Sequence, residues 1–145
     1  MVLHEAVAAE EQRLLAWLSV FPESFSLDLA AAVGSEPPIA PVAMLDRLVS
    51  LIDQGMLLRV AETDRFRMLI GIREFSREEL DARGETDACE RRFAEQVTLL
   101  AERIEPELIG PEQLAGFARL AHEDANLRRA LELQIVSGDR EGALR

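Results

Sequence analysis

The chain has 145 residues, 48% of them hydrophobic and 30% charged, with only 6 prolines and 8 glycines. That is enough chain for one domain, or two small ones, with a real core, and the composition is that of a helix-rich globular protein and not a disordered one. The net charge of -11 is spread evenly, -6 over residues 1–84 and -5 over 85–145, so no basic arm exists to neutralise phosphates and generic nucleic-acid binding is disfavoured.

Three further exclusions follow from the same reading. Apolar runs are too short to span a bilayer, so no membrane partner is expected. The start, MVLHEAVAAEE, carries acids where a signal peptide needs a basic segment and an apolar centre, and the expected location is cytoplasmic. The single cysteine, Cys89, cannot form an internal disulfide, which agrees with a reducing compartment. All 16 basic residues are arginine, which gives fixed, forked donors suited to ion pairs.

In chain order, Glu10 to Val20 reads as a helix with Val7, Leu14, Leu18 and Phe21 on one side, ended by Pro22. Ser26 is placed as the N-cap of a short second helix, Leu27 to Val33, with Gly34 as a left-handed terminator. The linker SEPPIAP is a stiff connector. A third helix, Val42 to Gln54, carries Val42, Leu45, Leu48, Val49 and Ile52 on one face, with Met44 and Leu51 widening the arc, and stops at Gly55.

Met56 to Val60 and Arg65 to Leu69 read as the strands of a hairpin around a polar turn at Ala61 to Asp64, with Met56, Leu58, Phe66 and Met68 packing on the helices. Over Phe66 to Leu80 the apolar period changes from two to about 3.6, which marks a strand passing into a fourth helix, Ile72 to Arg83, with Ile72, Phe75 and Leu80 buried and Gly84 closing it. A fifth helix, capped at Thr86 or Asp87, carries the clearest stripe in the chain: Cys89, Phe93, Val97, Leu100 and Ile104. Pro106 ends it, and Pro111 opens a sixth helix with Leu114, Phe117 and Ala121 on one side. A seventh carries Leu127, Leu131 and Ile135 and stops at Gly138, after which Asp139 would cap a further helix, begun but unfinished at Arg145. The expected fold is therefore mainly α: three helices and a β-hairpin in winged-helix order over residues 1–84, then a helical connector over 85–145.

No catalytic, cofactor-binding or metal-ligating set emerges. There is no GxxxxGK[ST] loop, no GxGxxG after a strand and no paired cysteines at metal spacing. His4 and His122 are far apart in sequence; His122 beside Glu123 and Asp124 is a solvated helix-start histidine before it is a ligand. Cys89 lies on an apolar stripe, as a buried inert thiol does. Ser24, Ser26, Ser35 and Ser50 have no nucleophile-elbow context. The acidic pairs Glu10-Glu11, Glu78-Glu79 and Glu123-Asp124 diverge around helix surfaces.

The candidate interaction patch is Arg59, Arg65, Arg67, Arg73 and Arg77. Glu62, Asp64, Glu74 and Glu78 are interleaved with it, so internal ion pairs compete with a binding role. The third helix has Asp46, Arg47 and Asp53 but no lysine, asparagine or further arginine to read base edges, and its wide apolar arc suits protein.

Taken in order, LLAWLSVFPESFSLDLAAAVG, MLDRLVSLIDQGMLLRV, FRMLIGIREFSREELDARGE, EPELIG and NLRRALELQIVSGDREGALR resemble the region after the ATPase core in actinobacterial STAND-type (NB-ARC-like) transcriptional regulators of the SARP and LuxR-like kind. The resemblance implies a winged helix that packs on a nucleotide-binding core, and a connector leading into tetratricopeptide-like (TPR-like) repeats. Its implied partners are the upstream ATPase domain and the downstream repeats of the same parent protein. Arg73 and Glu74 match the family's IRE segment. Met68, Leu69 and Ile70 stand where the wider class has Met-His-Asp, and Leu69 cannot donate a hydrogen bond to a phosphate as that histidine does. Gly116 and Ala125 take positions usually held by an aromatic and an acidic residue around the NLR motif.

The expected function is thus a non-enzymatic coupling segment with no cofactor of its own. The alternatives are a winged-helix DNA binder using the third helix with Arg59, Arg65 and Arg67, and a homo-oligomer formed through exposed apolar surface.

Overall fold

The computed structural model describes residues 9–144, with side chains described as far as residue 137. Val7 and His4 lie outside the described residues. The fold is mainly helical with one small antiparallel sheet: α1 Ala9–Leu18, β1 Ser24–Ser26, α2 Leu27–Val33, α3 Pro41–Asp53, β2 Leu57–Arg59, β3 Arg65–Met68, α4 Ile70–Ala82, α5 Thr86–Ile104, a 3₁₀ turn Glu105–Leu108, α6 Gln113–His122 and α7 Asp124–Leu144. The chain packs as two compact units, one running to Cys89 and the other from Glu90.

In the first unit α1 packs on α4 and α2 on α3. The core is aromatic and aliphatic: Trp17, Phe21, Phe25, Leu48, Leu51 and Leu80 are essentially inaccessible. Phe21 stacks on Phe25 with ring centroids 4.8 Å apart, and Phe25 on Phe66 at 6.2 Å. Helix α1 ends in tight turns at Ser19 and Val20, ahead of Pro22. The Ser26 cap forms as expected, its Oγ accepting from the Leu29 N–H at 3.2 Å.

Gly34 departs from expectation. Its φ of -75° is ordinary right-handed backbone, so no left-handed terminator exists there. The glycine answers a steric need instead: a Cβ at this position would stand 2.8 Å from the Ala30 carbonyl oxygen and 2.9 Å from Leu14 Cδ1. Left-handed glycines close α3 and α4 instead: Gly55, at φ 77°, and Gly84, at φ 70°.

The sheet has three strands in the order β1-β3-β2. The third, Ser24–Ser26, was not expected; three residues are too few to show a period, and the strand is held by pairing Phe25 with Phe66. In the hairpin Leu57 lies opposite Met68 and Arg59 opposite Phe66. That register puts Leu57 in the core and leaves Leu58, expected inside, half-buried on the other face.

Two helices bury a different face from the one expected. In α3 the core takes Met44, Leu48 and Leu51, leaving Val42 76%, Val49 45% and Leu45 39% exposed. An apolar arc that covers most of a helix cannot reveal by period alone which side faces inward. In α4 the buried residues are Ser76 and Leu80; Phe75, about 100° round the axis from Ser76, faces outward.

The second unit is built from α5 onward. The α5 stripe is buried as expected at Phe93, Val97 and Ile104, with Leu100 half-buried. Helix α7 is tied to α5 by Arg129 to Glu90 at 3.0 Å and by the Gln134 amide donating to Thr98 Oγ1 at 2.7 Å. Helix α6 lies on the 3₁₀ turn through Gly116, where a Cβ would come 3.1 Å from Glu107 Cβ. This close approach turns the expected core residues outward: Leu114 is 85% and Phe117 50% exposed, and Ala121 is exposed as well. In α7 the inward positions are Asn126 and Ala130, not Leu131 or Ile135, and Leu127 is half-buried. No break occurs at Gly138; α7 runs on to Leu144, because one interior glycine costs a helix only about 1 kcal/mol.

Candidate interaction surface

The five candidate arginines all lie in the first unit but do not form one patch. Arg65 is buried: its Nε donates to Ser24 Oγ at 2.9 Å and its second guanidinium nitrogen to the Ser24 carbonyl at 3.1 Å. It pins β1 to β3. Arg73, half-buried on α4, donates from Nε to the Phe21 carbonyl at 3.0 Å and so holds the segment leaving α1. Arg59 pairs with Asp64 across the hairpin turn at 3.2 Å and lies 6.0 Å from the Phe66 ring centroid. Arg77 is half-buried one turn beyond Arg73. Arg67 is exposed.

Arg67 and Arg73 share an open cleft of about 470 Å³ with Pro22, Glu23, Leu69, Ile70 and Glu74. The two glutamates cancel the two guanidinium charges, so the cleft offers no net attraction for an anion. Leu69 is apolar and partly exposed in this cleft.

A second surface is clearer. Val42, Asp46, Val49 and Asp53 succeed one another at spacings of 4, 3 and 4, which sets them in one line along α3; all four are exposed. Leu45 and half-buried Ile52 flank this line. Neither Asp46 nor Asp53 carries an ion pair among the described residues. The opposite flank is held to α1, where Ser50 Oγ and the Gln54 amide donate to the Glu11 carboxylate at 3.2 and 2.7 Å. The stripe is therefore presented on a helix fixed from behind by the core and by this polar tie.

One polar cluster gave no signal in the sequence because its members lie about 70 residues apart. Arg13 donates to Glu85 at 2.9 Å, Trp17 Nε1 donates to the same carboxylate at 3.2 Å, and the Arg13 guanidinium lies 5.4 Å from the Trp17 ring centroid. The hydrogen bond from Arg13, aided by that from Trp17, holds the Glu85 carboxyl below the usual carboxylate range, and the hydrogen bond to Glu85 raises Arg13. The cluster ties α1 to the start of α5. It is a structural clamp at a partly exposed position.

Cys89 is fully buried, with its thiol donating to the Trp17 carbonyl at 3.4 Å, and His122 is exposed at the end of α6. Among the described residues no group of three or more His, Cys, Asp or Glu side chains converges as a metal site, and no helix is long and apolar enough to cross a membrane.

No family model matches the chain, and no solved structure matches it. Uncharacterized proteins of Mycobacterium tuberculosis and Mycobacterium bovis are 33% identical to it over 95 residues, covering 62% of this chain and 24% of each relative. The chain thus spans about a quarter of the length of the curated relatives it matches.

Proposed function

We propose that this chain is a non-enzymatic coupling segment of a larger ATP-switched transcriptional regulator, relaying the state of an upstream P-loop ATPase domain to downstream TPR-like repeats. In this reading residues 1–84 are a winged helix and residues 85–145 a helical connector. The order α1-β1-α2-α3-β2-β3, with the first strand on the outer edge of a β1-β3-β2 sheet, is the order a winged helix requires and supports that assignment.

The observation that carries the functional reading is the outward face of α3. In a DNA reader this helix enters the major groove and needs donors on its exposed side. Here that side holds Val42, Asp46, Val49 and Asp53. Two carboxylates without an ion pair among the described residues would meet the phosphates, and of the wing arginines Arg65 is committed to Ser24 and Arg59 lies against Asp64, which leaves exposed Arg67 to offset them. Protein is the better partner for such a face. A match confined to a quarter of the mycobacterial relatives agrees with a module inside a longer protein.

The test is to read the coding sequence on both sides of the segment and to run a duplex mobility shift at low salt. An in-frame P-loop ATPase upstream, helical repeats downstream and no shift are expected. Closely flanking stop codons, or a shift that disappears as salt rises, would overturn the reading in favour of a free-standing DNA binder.

A second reading is favoured by the apolar residues exposed on the second unit, Leu114, Phe117, Leu131 and Ile135: self-association through that unit. Light scattering that finds a monomer at high concentration discards it.

A further inference from the structure

The α3 stripe also specifies the chemistry of what docks on it. Its apolar members, Val42, Leu45 and Val49, are spaced as in a helix-packing seam, and its polar members, Asp46 and Asp53, alternate with the valines along the same line. An apolar seam excludes water from a partner helix, and the two carboxylates, left without cations among the described residues, are then opposed by whatever the partner carries at its edge. A second copy of α3 crossing it about a two-fold axis would bring four carboxylates to one seam, a repulsive arrangement, and nucleic acid would add further negative charge.

We propose that the outward stripe of α3 is a docking site for a protein helix whose apolar face is flanked by lysine or arginine. The inference rests on the protein-facing reading of α3 given above and adds the charge sign and shape of the partner. The partner's cations would seat on Asp46 and Asp53 while its apolar residues cover Val42, Leu45 and Val49. Arg47, on the half-buried flank, sits beside this seam and not within it.

The test uses two synthetic amphipathic helices of about five turns with the same leucine face, one flanked by lysine and the other by glutamate, titrated into the isotope-labelled chain and followed by amide chemical shifts. The lysine peptide is expected to shift the amides of residues 42–53, and the glutamate peptide to leave them unmoved. Asp46→Asn with Asp53→Asn should weaken the lysine peptide about tenfold at low salt, the combined size of two exposed ion pairs. Glu95→Gln with Glu102→Gln on α5 removes the same charge elsewhere and should change affinity less than about twofold, which separates docking from general attraction to an acidic chain. Val42→Ser with Val49→Ser should abolish binding while the fold is kept, with a melt lowered by no more than a few degrees, since Val42 is largely and Val49 partly exposed.

Equal binding of the two peptides, shifts that map away from α3, a loss no larger for the α3 pair than for the α5 pair, or a mass doubled through α3 would each overturn the proposal. Docking on α3 in a gene product that lacks an ATPase domain would keep this inference and discard the coupling role; an ATPase domain with no docking would do the reverse.

Discussion

Gly34→Ala separates a steric glycine from a conformational one. At Gly34 the backbone already has φ -75°, which alanine adopts freely, so the substitution by itself should stabilise by about 0.4–1 kcal/mol through the unfolded chain. Against this, the new methyl would stand 2.8 Å from the Ala30 carbonyl oxygen, 2.9 Å from Leu14 Cδ1 and 3.2 Å from Leu18 Cδ2. A carbonyl inside α2 and two fully buried leucines cannot all yield, and overpacking of this kind costs about 1–3 kcal/mol. The net expectation is a loss of about 1–2 kcal/mol. Gly71→Ala is the matched control: that glycine lies in the first turn of α4, at ordinary φ, and its Cβ would meet nothing within 4 Å. It should be neutral or stabilising by up to about 1 kcal/mol. Urea unfolding followed by far-UV circular dichroism measures both. A Gly34→Ala variant as stable as the parent would refute the close packing of α2 on α1.

Other expectations follow from the same contacts. Arg65→Ala should lose about 1–3 kcal/mol, because it removes the two hydrogen bonds from a buried guanidinium that pin β1 to β3, whereas Arg67→Ala should stay within about 0.5 kcal/mol; unfolding midpoints compare them. Leu48→Ala, on the inward side of α3, should cost about 2–5 kcal/mol, and Val49→Ala, on the outward side, less than about 1 kcal/mol, a contrast that checks which arc of the helix faces the core. Glu85 is held below its unfolded value by Arg13, so the stability it contributes is present above the ordinary carboxylate range and lost as pH falls through the folded value. Glu85→Gln should therefore lower stability at neutral pH, by about 1 kcal/mol or less because the pair is partly exposed, and should flatten the acid limb of a stability-pH profile.

Much of the fold was legible because strong local signals agree with the packing. The α5 stripe and the Ser26 cap each combine a period or a capping residue with a burial pattern that nothing nearby contradicts, and the hairpin forms where its turn signals put it, although its register buries Leu57 in place of Leu58. What the sequence hid was of two kinds. Where apolar residues cover most of a helix, as in α3, or where a small residue sets the contact, as Gly116 does in α6, period cannot choose the inward side, and Val42, Leu114 and Phe117 are exposed contrary to expectation. Where the determinant is a pairing between distant residues, as in β1 with β3 or Arg13 with Glu85, no window of sequence contains it. The arginine cluster illustrates the consequence: adjacent in sequence and alike in charge, its members are divided by the fold among a strand clamp, a helix clamp, a turn and the surface.

If α3 docks on protein in an ATP-switched regulator as proposed, its contact changes with the nucleotide that the ATPase domain holds. Hydrogen exchange over residues 42–53 in the full-length protein, with ATP and then with ADP, tests it most directly. The account predicts strong protection of this segment in one nucleotide state and release in the other, while the amides around Phe25 and Phe66 exchange alike in both. Exchange of residues 42–53 that is the same in both states would contradict it.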